Sequence, residues 1–235
     1  MQNRIGHAVS VGAALVAVLS ATSCGEPETT ADHMERHFDE VQAVKAAVIA
    51  GDLAAAQQQA EWLATHEPVA DLPGDWEPYV EQLQKAAAEV AEAPDIAAAG
   101  TATAEMALAC GACHSAVGQI TTFAFIAQPE ETGVTGHMIR HGWATDRMWK
   151  GLIGPSNEAW MDGVQGFAEA PLQGGTQATL ALGTRVHELG AQGEEAADPA
   201  ARAAIFGELI TTCAGCHTAA GQGPQATPQA LSGSR

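Results

Sequence analysis

The chain has 235 residues, enough for one or two domains, and a formal charge of −18 at pH 7 from 28 acidic and 10 basic side chains. That balance excludes a nucleic-acid-binding role, because almost nothing is left to neutralise phosphates, and suits a soluble face that meets basic or small uncharged partners. An Ala-rich chain with one Tyr, five Phe and few β-branched runs predicts an all-α fold whose core is short of aromatic volume.

Residues 1–23 read as an export signal, with Arg4 as the positive start and Ala8 to Ala21 as an apolar stretch too short to span a bilayer comfortably. Ala21-Thr22-Ser23 then precede Cys24. This resembles a bacterial lipoprotein signal, although Ala21 stands where such signals usually have Leu. The resemblance implies acylation of Cys24; the alternative is ordinary cleavage after Ser23, leaving a free thiol. Residues 24–31 form a polar tether.

From Asp32 a helix is predicted to about Ala50, with Met34, His37, Val41, Val44 and Val48 on one face. Gly51-Asp52 stops it and caps a second helix through Trp62 to about His66. Asp75 is expected to cap a third, to about Ala91, with Tyr79, Leu83 and Val90 inward. Pro94-Asp95 opens a fourth that carries Met106 and ends in Cys110-Gly111-Ala112-Cys113-His114. Four helices with short connections predict an up-down-up-down bundle over residues 32–117.

Residues 118–134 read as a linker whose Phe123, Phe125 and Ile126 form an apolar patch able to dock on a bundle. The pattern then restarts over residues 135–220. A first helix is expected from Gly136 to Leu152, a second after Ser156 and a third over about Thr176 to Leu189. A fourth starts at Asp198-Pro199 and carries Ile205, Leu209 and Cys213-Ala214-Gly215-Cys216-His217. Residues 221–235, rich in Gly, Pro, Gln and Ser, read as a disordered tail.

Four of the five cysteines fall in the two CxxCH motifs. On a helix, two thiols at i and i+3 share a face with the histidine at i+4, which is the spacing that attaches a haem through two thioethers and ligates its iron. The reading is therefore two covalent haem c groups, on Cys110 and Cys113 with His114 to the iron, and on Cys213 and Cys216 with His217. A zinc site would place its Cys pairs closer together, and a redox dithiol would sit in a βαβ setting that this sequence lacks. Covalent attachment to CxxCH takes place outside the bacterial cytoplasm, in agreement with the export signal.

His33-Met34-Glu35-Arg36-His37 reappears as His137-Met138-Ile139-Arg140-His141 at an offset of 104 residues, and the CxxCH motifs repeat at 103. The chain reads as a tandem duplication of one haem-binding bundle. In such a bundle the start of helix one lies beside the end of helix four, so HMxRH is the natural source of a second axial ligand. Arg36 and Arg140 are weighed for the propionates against a plain surface role.

These features resemble the cytochrome c-prime and c-556 family and, more distantly, the cytochrome b562 bundle. The resemblance covers about residues 32–117 and 134–219. It implies a haem at the C-terminal end of each fourth helix, either five-coordinate or with a methionine from helix one as sixth ligand. Met34 and Met138 match that position, and His37 and His141, one turn further along, are rivals. The basic residue that c-prime members usually carry after CxxCH is missing from Ser115-Ala116-Val117-Gly118 and Thr218-Ala219-Ala220-Gly221.

The leading expectation is a dihaem electron carrier in the bacterial periplasm, anchored to a membrane through Cys24 and exchanging single electrons with redox protein partners. No catalytic residue is recognisable. The alternatives are a gas-binding protein with an open iron and the haem subunit of a larger oxidoreductase.

Overall fold

The computed structural model describes residues 29–68, 72–119, 121, 123–168 and 175–222. The expected signal segment, Cys24 and nearly all of the expected tail lie outside them. The described residues form eight α-helices and no strand: α1 Thr30–Ala50, α2 Leu53–Thr65, α3 Glu77–Ala91, α4 Ile96–Ala116, α5 Gly133–Ile153, α6 Asn157–Gly166, α7 Gln177–Glu195 and α8 Pro199–Ala219. The all-α expectation holds.

Side-chain caps set most of the starts. Asp52, Asp95, Ser156, Thr176 and Asp198 each accept the backbone N–H three residues on, and Thr29 and Asp32 close a reciprocal capping box. Each such cap contributes about 1 kcal/mol. Gly51, at φ 77°, ends α1 by donating to the Ala47 and Val48 carbonyls, a left-handed turn that glycine adopts without strain.

Helix α1 starts at Thr30, inside the expected tether and before the expected Asp32, because Thr29 supplies the cap; three further boundaries also differ from the sequence reading. Asp75 does not cap α3: it sits in a 3₁₀ turn, Gly74–Trp76, closed by the Trp76 N–H on the Pro73 carbonyl. Helix α5 begins at Gly133, not Gly136, because Gly136 is a packing glycine inside its first turn. A Cβ there would lie 2.2 Å from the Glu131 carbonyl oxygen, and Arg140 donates to the same carbonyl. Helix α7 runs past Leu189 to Glu195. Gly190 and Gly193 look like stops, yet they make room for neighbours: a Cβ would come within 2.5 Å of Phe167 at the first and 2.3 Å of Val164 at the second.

Within residues 30–116 and again within 133–219, consecutive helices pack on each other and the first helix also touches the fourth. Contacts between the halves are equally close. Helices α4 and α8 cross antiparallel where Gly100 faces Gly207 and Thr211; a Cβ on Gly100 would be 2.1 Å from the Thr211 methyl. Helix α1 packs on α8, and α5 packs on α4. Lys45 lies over the ring of Trp149, its own counterpart at the repeat offset of 104. Such exchanged pairs are the signature of a two-fold, isologous contact, here made inside one chain.

One apolar core runs through both halves, from Val41, Val44, Val48, Leu63, Val90 and Met106 to Met148, Trp149, Trp160, Phe167, Leu189, Phe206 and Ile210. The linker contributes as expected through Phe123, which packs beside Phe38 and under Lys150, while Phe125 stays 75% exposed. Lys45 is buried at the seam. Burial pushes its pKa down, and the Asp146 carboxylate 3.2 Å away pulls it back up. Burial also pushes Asp146 up, but Lys45 and Lys150 together outweigh it and hold it below the usual value. Two cations to one carboxylate is what keeps this buried charge tolerable.

Candidate haem and histidine sites

Both CxxCH motifs occupy the last two turns of a capped 21-residue helix, α4 or α8. All four motif cysteines are free and half-buried. Burial, and secondarily the neighbouring thiol, push Cys110 and Cys213 up to about 12, and burial raises Cys113 and Cys216 as well.

The motif histidines are oriented by the opposite half. His114 Nδ1 lies 2.8 Å from the Ile153 carbonyl at the end of α5, with the Thr121 hydroxyl 3.1 Å away. His217 Nδ1 lies 3.1 Å from the Ile49 carbonyl at the end of α1. A carbonyl only accepts, so in each ring Nδ1 carries the proton and donates it, which leaves Nε2 with the free lone pair. Ile49 and Ile153 are counterparts at the 104 offset, so the two bonds form one exchanged pair.

The close approach at α4 depends on Gly111, inside the motif, where a Cβ would lie 2.3 Å from the Leu152 carbonyl oxygen. At α8 the counterpart is Ala214, whose Cβ is 3.8 Å from the Cβ position of Gly51. Paired cysteines on one face and an imidazole locked with Nε2 free fit a covalently held haem.

The repeated HMxRH segments build something the sequence reading missed. On α1, His33 is 2% exposed and its ring centroid is 4.2 Å from that of His37. His66, at the end of α2, lies 5.2 and 5.3 Å from those rings and stacks at 3.9 Å on Trp62. On α5, His137 and His141 are also 4.2 Å apart, and His187 of α7 lies 5.7 and 5.2 Å from them, with Phe167 5.0 Å from His141. Within each trio the potential ligand nitrogens are all within 4.8 Å of one another.

Burial first, then His33, His66 and Arg36, push His37 down to about 3. Burial first, then His137, His187, Arg140 and His217, do the same to His141.

Met34 does not share the buried stripe of α1. It is 38% exposed, because the inward stripe runs through His33, His37, Val41, Val44 and Val48, and Met34 lies about 100° round the helix from His33. Met138 is half-buried. Arg36 lies 5.8 Å over the Trp62 ring. His66 and His187 escape a repeat search because they are 121 residues apart on different helices. The available signal was a count. Of nine histidines, His7 lies outside the described residues, His114 and His217 belong to the motifs, and the remaining six form the two trios.

Compared with protein-family models, with curated proteins and with solved structures, the chain matches none.

Proposed function

We propose that this chain is a dihaem c-type cytochrome that carries single electrons in the bacterial periplasm, held to a membrane through an acylated Cys24, and that it is a carrier rather than an enzyme. In this reading it consists of two four-helix units joined through their fourth helices. Cys110 and Cys113 hold one haem and Cys213 and Cys216 the other, with His114 and His217 giving Nε2 to the irons. The haem supplies a metal that changes charge by one electron; the protein sets where and at what potential.

The observation that carries the reading is the exchanged pair of Nδ1 bonds, from His114 to Ile153 and from His217 to Ile49. A donated Nδ1–H fixes the ring, makes Nε2 more basic and so favours the more positive metal, which lowers the potential. The strongly acidic surface favours partners with basic faces.

The test is expression of the full chain in a bacterial host that attaches haem c, followed by denaturing gels stained for covalent haem and a haem-to-protein ratio. The expected ratio is two, falling to one in Cys110→Ala/Cys113→Ala and to one in Cys213→Ala/Cys216→Ala, with reversible one-electron reduction of each remaining haem. Absence of covalent haem from the intact chain refutes the proposal. Tight binding of carbon monoxide by the reduced protein would favour the gas-binding alternative.

A further inference from the structure

The histidine trios offer more imidazoles than two haems use. An iron already held by His114 or His217 has one further axial position and takes one imidazole, whereas each trio brings three within 4.8 Å. A purely structural role also fits poorly, because buried ring nitrogens in a structural role are hydrogen-bonded. Both ring nitrogens of His37, Nε2 of His141 and Nε2 of His187 are buried and have no hydrogen-bond partner among the described residues.

His187 shows the arrangement most fully. Its Nδ1 donates to the Phe167 carbonyl at 2.7 Å, so its tautomer is fixed with the lone pair on the buried Nε2. That is how a metal-ligating histidine is held.

The third imidazole also comes from a different place in each half. The carbonyl that ends α2, on His66, accepts from Gln84 of α3 at 3.0 Å, and the carbonyl that ends α6, on Phe167, accepts from His187 of α7. Gln84 and His187 are counterparts at the 103 offset. The first half therefore pairs His66 with Gln84, and the second pairs Phe167 with His187. The two halves have exchanged which helix supplies the histidine while each keeps three, a pattern that packing alone does not require.

We propose that His33, His37 and His66 form one mononuclear metal site, and His137, His141 and His187 a second, each for a first-row transition ion of the zinc or copper kind. Three neutral imidazoles with no carboxylate or thiolate suit such ions and not magnesium or calcium. Tetrahedral bonds of about 2.0–2.1 Å hold ligand nitrogens about 3.4 Å apart, so from a spacing of up to 4.8 Å the three rings must close in on the ion as it binds. The sites claim His37 and His141 for the ion, not for the haem iron.

The test uses the full haem-loaded chain, stripped with a chelator and titrated with zinc ion against a chromophoric competitor. Two zinc ions per chain are expected, with the haem absorption spectrum unchanged on binding. His66→Gln and His187→Gln should each remove one site and the pair both, the lost site weakening by more than the roughly 100-fold that losing even an outer partner can cost. The covalent haem count and the helical circular dichroism should stay as in the parent.

No zinc binding by the parent, or two ions still bound by the double variant, overturns the proposal. So does a change of haem spectrum on zinc binding, which would assign His37 and His141 to the irons. A chain without haem that still binds two zinc ions would sink the electron-carrier reading and leave this one standing.

Discussion

The two halves share a plan but fill it with different side chains, and the contrast is sharpest where they meet. At matched buried positions the first half has Val44, Lys45, Val48, Thr103 and Ala107, where the second has Met148, Trp149, Leu152, Phe206 and Ile210. Trp149 stacks on Phe206 at 5.4 Å, while their counterparts are a lysine tied to Asp146 and a threonine bonded back to the Ala99 carbonyl. Lys45 lies over Trp149 where the two copies meet, so at that matched position the shared core is filled by unlike side chains and not by two equal ones. An identical pair would leave two large rings or two gaps at the axis.

The largest effect that tests this is truncation of Trp149. Trp149→Ala should cost about 3–5 kcal/mol, the usual cost of emptying a large buried aromatic site, read as a lowered midpoint in urea. Lys45→Met should stay near neutral, because it removes a buried charge and leaves Asp146 its partner Lys150. If the halves unfold separately, Trp149→Ala will move only one of two transitions. A single transition in parent and variant is expected from the continuous core.

Acid should act on both halves together. His37 and His141 have an ordinary pKa of 6.5 when unfolded and are held down to about 3 when folded, chiefly by burial. The unfolded chain therefore binds more protons between those values. The contribution of these groups is fully present above about pH 6.5 and is lost as pH falls toward 3. Urea midpoints measured at pH 7, 5 and 4 should fall in that order. His37→Gln or His141→Gln alone should flatten the slope by about the same amount, and unequal flattening would break the equivalence of the trios.

What the sequence made legible is mainly what lies within one helix. Caps at Asp52, Asp95 and Asp198, the stop at Gly51 and the CxxCH faces follow from local rules, and the structure has them. What it hid depends on partners far along the chain. The expected start of α5 at Gly136 and end of α7 at Leu189 are both overrun, because Gly136, Gly190 and Gly193 lie inside helices and each is set by the neighbour its missing Cβ admits. Met34 passed as inward because a heptad pattern also accommodates it; the neighbouring elements chose the stripe through His33 instead. The trios and the bonds from His114 and His217 join residues from different helices or different halves, and no period of one helix announces them.

The smallest effects lie inside the motifs, where the halves differ by a transposed pair, Gly111-Ala112 against Ala214-Gly215. Gly111→Ala drives a methyl to 2.3 Å from the Leu152 carbonyl oxygen, so α5 must back away and take the Ile153 carbonyl with it. The expected cost is about 1–3 kcal/mol, typical of overpacking. In the dihaem reading proposed above, the potential of the first site should rise as His114 loses its acceptor, with the second unchanged. Ala214→Gly should cost only the roughly 1 kcal/mol of helix propensity and move neither potential, since Ala214 already fits beside Gly51. Stepwise potentiometric titration separates the two outcomes. A Gly111→Ala variant that leaves both potentials alone would mean that the Ile153 carbonyl does not tune the first site, and the exchanged bonds would be left with an orienting role alone.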